Sequence, residues 1–289
     1  MEKRLSFYDE IRKNKISSGI MIVLVMFVLI ALIYAIGLAI GQDVFIISIF
    51  AIIFSLSYVL ISYYNSDKIA LASVGAKLAG REYKQYYDSV EGLCLASGLP
   101  KPRLYVMEHN QINAFASGRD PKHAVICVTT GALQKLNKQE LEGVLAHELS
   151  HIANYDIRFM TLTAVLVGVI AIISQIFLRS LWFRGGDRNN KNAIFMVIGI
   201  ALAIIAPILS MLVQLAISRK REYGADSSAV KFMRTPTGLI GALTKIKSNS
   251  EMKVSGAVAP LFLAKPSKTA ELFQTHPALE KRIERLRRM

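Results

Sequence analysis

Two long stretches near the start of the chain contain no charged residue, and they constrain the fold more than any other feature. The first runs from Ile16 to Gln42 and the second from Val44 to Tyr64. A helix needs roughly 20 apolar residues to cross a bilayer, so each stretch is long enough. Because Asp43 alone lies between them, we predict a transmembrane hairpin of two helices over residues 16–64.

A second pair of apolar runs follows later in the chain, from Phe159 to Phe183 and from Ala193 to Ile217. These runs predict another hairpin over residues 159–217, which would form the third and fourth transmembrane helices. They are weaker candidates, because Arg179 interrupts the first run and Pro207 would kink the second. A buried hairpin of a soluble domain is the alternative.

The distribution of charge predicts the orientation of the chain in the membrane. The formal net charge is +14, and basic residues both precede the first span and follow the last. The positive-inside rule then places residues 1–15 and the opposite end in the cytoplasm, although a basic loop at residues 184–192 argues against this. Basic residues near spans bind anionic lipid, and no aromatic-interleaved basic motif predicts a nucleic-acid partner. We expect a multi-pass protein of the cell membrane.

Two polar segments, residues 65–158 and 218–289, remain outside the apolar runs. Neither is large enough alone for a sizeable core, so we expect them to fold together as one cytoplasmic catalytic domain. The segment from Leu141 to Asp156 reads LEGVLAHELSHIANYD and contains the His-Glu-x-x-His pattern of metalloproteases. Asn137 and Glu140 resemble a capping box before it, and the apolar residues keep helical spacing.

Residues four apart lie one turn above each other on a helix, so His147 and His151 can bind one ion. Glu148 between them would be the general base that activates water. A catalytic zinc ion needs a third protein ligand. The metzincin extension is excluded, because its Gly and His positions hold Asn154 and Ile157.

A glutamate on a second helix is the remaining candidate for the third ligand. The segment from Ser218 to Val230 offers Glu222, with Asp226 one turn later to orient a zinc-bound histidine. Spacing alone leaves open a solvated helix face that carries both carboxylates beside its basic residues.

Four motifs, in order, resemble the HtpX family of bacterial and archaeal membrane metallopeptidases, which are relatives of the CAAX prenyl protease. The resemblance runs over nearly the whole chain. It is carried by Asn113-Ala114-Phe115-Ala116, by His147 to His151 with Asn154 and Asp156, by Arg221-Glu222-Tyr223 with Ala225-Asp226, and by Thr275-His276-Pro277 with Arg282-Ile283.

The resemblance implies a fold, a cofactor and further site residues. It implies a mostly α-helical integral membrane protein with a gluzincin-like α+β metalloprotease domain that carries a small β-sheet. One Zn²⁺ per chain would be held by His147, His151 and Glu222, with Asn154 and Asp156 supporting the ligands beside Asp226. His276, or less directly Tyr223, would donate a hydrogen bond to the developing oxyanion.

Short strand-like patterns at Arg103–Met107, Asn113–Ser117 and Ala124–Thr129 predict the small sheet. A protease that cuts unfolded chain can hold it against an exposed sheet edge. Pattern alone also allows these strands to be interior ones, but the resemblance favours a substrate-binding edge formed by Asn113, Ala114, Phe115 and Ala116.

The resemblance implies an endopeptidase that removes misfolded or damaged membrane proteins. Two other classes of protein compete with this interpretation. A di-iron protein would need a second Glu-x-x-His motif, which the chain lacks. A membrane scaffold or transporter with a non-catalytic metal site is the other alternative, and the near absence of charge within the spans argues against a transport pathway.

Overall fold

A computed structural model describes residues 7–39, 43–163, 219–248, 263 and 277–289. The predicted second hairpin lies outside the described residues from position 164 onward, and so does His276. The described residues comprise a helical hairpin and a domain of helices and strands.

The first predicted hairpin corresponds to two long helices, α1 (Phe7–Ala39) and α2 (Val44–Tyr64). Asp43 caps α2, because its Oδ1 accepts hydrogen bonds from the N–H groups of Phe45 (2.9 Å) and Ile46 (3.1 Å). Both helices are long and apolar enough to cross a membrane. One face of each is buried in their mutual contact, while large apolar side chains such as Phe45 face outward. Lipid is the solvent that suits such an outward face.

The remaining described residues form an α+β domain. Its helices are α3 (Ser66–Ser73), α4 (Lys84–Ser97), α5 (Thr130–Lys135), α6 (Lys138–Ala153), α7 (Arg219–Met233), α8 (Thr237–Ser248) and α9 (Leu279–Leu286). Its strands are β1 (Lys77–Leu78), β2 (Arg103–Met107), β3 (Ala114–Gly118) and β4 (Ala124–Thr129). Three of these strands match the predicted patterns to within one residue.

The four strands form one mixed sheet in the order β1-β2-β4-β3. Strand β4 pairs in parallel with β2 and antiparallel with β3. Among the described strands, β3 therefore lies at one end of the sheet, where the predicted substrate-binding edge requires it to be.

Helix α6 is the centre of the domain. It contacts α4, α7, α8 and β3, and its apolar residues Leu141, Val144, Leu145 and Leu149 join the main core. Two glycines set its distance from α8: a Cβ added at Gly143 would meet the backbone of Leu239, and one at Gly238 would meet that of Gln139. The two helices thus approach to backbone contact, which only glycine allows there.

Candidate metal centre

The helix that carries the metal-binding motif begins at a well-defined cap. Asn137 Oδ1 accepts a hydrogen bond from the Glu140 N–H at 2.9 Å, and a Glu140 carboxylate oxygen accepts one from the Asn137 N–H at 2.8 Å. This reciprocal pair is the predicted capping box. It fixes the start of α6, and His147, Glu148 and His151 follow on regular turns with side chains almost entirely buried.

Three potential ligands converge at the middle of α6. Nε2 of His147 lies 3.2 Å from Nε2 of His151, and each nitrogen lies 3.7 Å from a carboxylate oxygen of Glu222 on α7. Donors on a tetrahedral zinc ion at 2.0–2.1 Å stand roughly 3.4 Å apart, so these three spacings fit such an ion. One ligand atom from each residue lies within 4.8 Å of the others.

The side of His147 away from this convergence is held by a buried ion pair. Its Nδ1 lies 3.0 Å from Oδ1 of Asp226. Arg282 on α9 donates from Nη2 and Nε to the two oxygens of Asp226, at 2.6 and 3.0 Å. The same guanidinium places Nη1 3.3 Å from the Glu222 carboxylate. Arg282 therefore connects the third candidate ligand to the carboxylate behind the first.

The far side of His151 is held by different elements. Helix α6 ends at Asn154, and Tyr155 adopts a left-handed conformation with φ of 59°. This turn brings Asp156 back to His151, with Oδ2 3.0 Å from Nδ1. The other oxygen, Oδ1, accepts a 2.7 Å hydrogen bond from the side-chain amide of Asn14 on α1. Helix α1 thus contacts the carboxylate behind a candidate ligand, at a residue just before the first predicted transmembrane stretch.

These contacts determine which ring nitrogens are available. A carboxylate can only accept, so Nδ1 of each histidine carries the proton and Nε2 presents a lone pair. Two lone pairs facing each other at 3.2 Å repel, so either a proton on His151 or a metal ion must lie between them. The donor set of two imidazoles and one carboxylate therefore fits zinc, with the carboxylate–histidine arrangement common behind metal ligands.

The ionisable groups of the site are shifted in different directions. Burial and the charge of Arg282 lower the pKa of His147. Burial would also lower the pKa of His151, but the hydrogen bond to Asp156 and the nearby carboxylates raise it to about 9. Burial raises the pKa of Glu148 to about 7. Burial would raise the pKa of Asp226, yet Arg282 lowers it to about 2.

The outer edge of β3 lies next to Glu148. Thr129 N–H donates to the Asn113 carbonyl at 3.1 Å, and bonded pairs alternate along an antiparallel ladder. Ala114 and Ala116 therefore direct their main-chain groups away from β4. The Ala116 N–H forms a hydrogen bond with Glu148, and the Ala114 carbonyl accepts one from the Leu263 N–H at 3.0 Å. The outward groups of this edge are thus already paired within the chain beside the candidate base, and its substrate-binding role stays a prediction.

The other predicted site residues lie as follows. Tyr223 is half-buried on α7, with the guanidinium of Arg285 4.6 Å from its ring centre. The Asn154 side chain is buried, and its Oδ1 has no hydrogen-bond partner among the described residues. Phe115 is fully buried in a cluster on the sheet. The oxyanion role of Tyr223 and the supporting role of Asn154 stay predictions.

Sequence reasoning missed the roles of two residues of the site, Asn14 and Arg282. Arg282 belongs to one of the four motifs, but the motif alone does not indicate what the side chain does. A signal was present, because Arg282 lies three residues after Leu279 and four before Leu286, on the apolar face of a short amphipathic helix. A cation on such a face must have a buried anionic partner. Asn14 shares a face with Ser18 and Met21 at helical spacing, all buried.

The sequence profile of peptidase family M48 matches residues 81–289. The chain belongs to peptidase family M48. Similar proteins match most of the chain. The protease HtpX homolog of Thermoanaerobacter pseudethanolicus is 49% identical, and the match covers 81% of this chain and 82% of that protein. The HtpX homolog of Dictyoglomus thermophilum is 40% identical, covering 99% of this chain and 96% of its own. The resemblance to the HtpX family is therefore confirmed.

The fold also resembles that of a solved structure. The crystal structure of S. mikatae Ste24p superposes with a TM-score of 0.52 at 19% identity, and the match covers 95% of this chain and 65% of that one. At this identity the likeness concerns the fold alone. Membership of M48 makes the chain a metallopeptidase with protein substrates. Its described residues form helices and a small mixed sheet.

Proposed function

We propose that this chain is a membrane-embedded, zinc-dependent endopeptidase in which His147, His151 and Glu222 hold one zinc ion. The observation that carries this proposal is the convergence of two Nε2 atoms, 3.2 Å apart, and the Glu222 carboxylate 3.7 Å from each. The convergence joins two helices, α6 and α7, that are far apart in the chain.

Glu148 is the proposed general base. When bound, zinc lowers the pKa of a coordinated water and polarises the scissile carbonyl. The Glu148 carboxylate would accept the proton of the attacking water and deliver it to the leaving amine. Burial raises the pKa of Glu148, and a carboxyl group with a raised pKa suits a role that requires it to gain and lose a proton.

The substrate would bind as an added strand along β3, against Asn113, Ala114, Phe115 and Ala116. Ala114 and Ala116 direct main-chain donors and acceptors outward, and Ala116 itself contacts Glu148. Pairing along this edge reads the backbone rather than the side chains, so it suits varied, unfolded sequences. His276 or Tyr223 would stabilise the oxyanion, where one donor is typically worth about 3 kcal/mol.

The proposed setting is the cell membrane, with the catalytic domain in the cytoplasm and misfolded or damaged membrane proteins as substrates. Two observations support it. Helices α1 and α2 present outward apolar faces of spanning length, and Asn14 at the start of the first candidate span contacts Asp156. A site so close to the bilayer would favour chains that emerge from it. Residues 159–217 would add a second hairpin between residues 65–158 and 218–289 of the catalytic domain.

The full chain purified in detergent, with Glu148→Gln as the variant, tests the proposal. We expect the variant to retain one zinc ion per chain and to lose casein cleavage by at least about 100-fold, because the ligands are intact and the base is absent. Glu142→Gln on the same helix is the matched control, since Glu142 faces Ser89 and Lys138 rather than the site.

Zinc content and cleavage separate the outcomes. No zinc in the parent protein would overturn the metal site, and equal cleavage by the parent and Glu148→Gln would overturn the mechanism. A scaffold with a vestigial metal site would bind zinc and cleave nothing in any of the three proteins.

A further inference from the structure

Asn14, on α1 two residues before the predicted membrane hairpin, contacts the residues that surround the candidate metal centre. The Nδ2 atom of Asn14 lies 2.7 Å from Oδ1 of Asp156 and 2.9 Å from the main-chain oxygen of Asn154. Asn14 is separated from these residues by about 140 positions, and all three are at least nine-tenths buried. The contact is therefore a tertiary one inside the protein.

Both acceptors fix the orientation of this amide. A carboxylate oxygen and a carbonyl oxygen can only accept, so the NH₂ end of Asn14 must face them and both its protons are engaged. Neither an aspartate nor an apolar side chain of the same size could replace it. Aspartate would place a third acceptor beside these two, and leucine would leave both oxygens without this donor.

The Asp156 carboxylate is thereby oriented from two sides. One oxygen holds the Nδ1 proton of His151, and the other receives Asn14, with Nε of Arg221 at 3.5 Å. If the Asn14 hydrogen bond is lost, only the longer Arg221 contact restrains this oxygen, so the carboxylate is freer to rotate and holds the His151 ring less firmly. Groups that orient metal-ligating histidines in this way affect metal affinity strongly.

We propose that Asn14 is a positioning residue, through which α1 fixes Asp156 and hence the Nε2 lone pair of His151 for the metal. The proposal rests on the zinc site proposed above. It gives the first membrane helix a second role beside anchoring, because the geometry of the metal centre depends on α1 being docked against the turn after α6.

The test uses the full chain in detergent with Asn14→Leu and Asn14→Asp. Zinc affinity is measured by competition with a chromogenic chelator, and the Co²⁺-substituted protein gives a visible absorption spectrum that reports ligand geometry. We expect Asn14→Leu to weaken zinc binding about tenfold and to change the Co²⁺ spectrum, with Asn14→Asp at least as severe. In cleavage assays kcat should fall while KM stays, since the β3 edge is untouched.

Ser18→Ala is the matched control. Ser18 is fully buried on the same helix, one turn from Asn14, and its hydroxyl donates only within α1, to the Asn14 carbonyl at 2.8 Å. The substitution removes a buried hydrogen bond of α1 without touching Asp156, so it should leave zinc affinity and the Co²⁺ spectrum unchanged.

A double-mutant cycle with Asp156→Asn decides whether Asn14 acts through Asp156. In the Asp156→Asn background, Asn14→Leu should add less than about twofold to the loss of zinc affinity, since coupled neighbours are not additive. Additive losses, or a lowered melting temperature of Asn14→Leu with unchanged zinc affinity and Co²⁺ spectrum, would overturn the proposal. A parent protein that binds no zinc would instead overturn the metal site itself.

Discussion

The two histidines of the motif lie one helical turn apart, yet they are supported from opposite ends of the chain. His147 is backed by Asp226 and Arg282, which belong to α7 and α9. His151 is backed by Asp156, which is in turn held by Asn14 of α1. The carboxylate beside His147, that of Asp226, is bound by Arg282 at 2.6 Å. The carboxylate beside His151, that of Asp156, lies 3.5 Å from its nearest guanidinium atom, Nε of Arg221. Accordingly, the pKa of His147 is lowered and that of His151 is raised.

This difference shows how the two histidines of one motif can lie in unlike electrostatic surroundings. The local sequence places both rings on one helix face, but the charges that decide their protonation come from distant elements. Substitutions that act on one support and spare the other therefore test whether the two histidines differ in this way.

The largest effect is expected at the support of His147, from Arg282→Met. Removing the guanidinium would leave the buried carboxylates of Asp226 and Glu222 without their cation, which typically costs about 3–5 kcal/mol. We expect an equally large loss in the free energy of unfolding, measured by denaturation in detergent. Arg288→Met is the control, because its pair with Glu284 is exposed and worth little. Equal stability of the two variants would contradict the ion-pair account.

The next effect is expected at the support of His151, from Asp156→Asn. The amide can still accept a hydrogen bond from Nδ1, but it lacks the negative charge that raises the pKa of His151. We expect zinc affinity to fall about 10- to 100-fold, measured by chelator competition. The result would be contradicted if Asp156→Asn bound zinc as tightly as the parent.

Proton release on zinc binding sharpens the contrast between the rings. The pKa of metal-free His151 is about 9, so at neutral pH the ring is protonated and must lose a proton to bind zinc. The pKa of His147 is lowered, so this ring is already neutral at pH 7. Between pH 7 and 8 the dissociation constant should therefore fall about tenfold per pH unit. Calorimetry in buffers of different ionisation enthalpy should detect about one proton released per zinc, and heats that do not depend on the buffer would refute this.

The smallest effect is expected from Asn137→Ala, at the N-cap of the helix that carries both histidines. Loss of this N-cap of α6 typically costs about 1 kcal/mol. Because the cap lies more than two turns from either ring, the free energy of unfolding should fall while zinc affinity stays the same. A loss of zinc affinity comparable with that of Asp156→Asn would show that the cap positions the ligands.

Local features of this protein were predictable from sequence because their causes are local. The capping box of α6 and the helical spacing of the metal-binding motif depend on residues three or four positions apart. Strands β2 and β4 match the predicted ranges because each is a short apolar run and turn-forming residues lie between them.

The supports of the histidines were harder to predict because they depend on long-range contacts. Arg282 reaches Asp226 across 56 positions, and Asn14 reaches Asp156 across 142. No period or spacing links such pairs. The only sequence signals are a cation on an apolar helix face and an amide on a buried one, and neither signal names its partner.

The burial of Arg282 has a consequence for the timing of synthesis. Translation produces α6 and α7 well before α9, so the carboxylates of Asp226 and Glu222 stay without their guanidinium until the last described helix has left the ribosome and docked. An unfinished chain cannot assemble the full charge balance around its ligands.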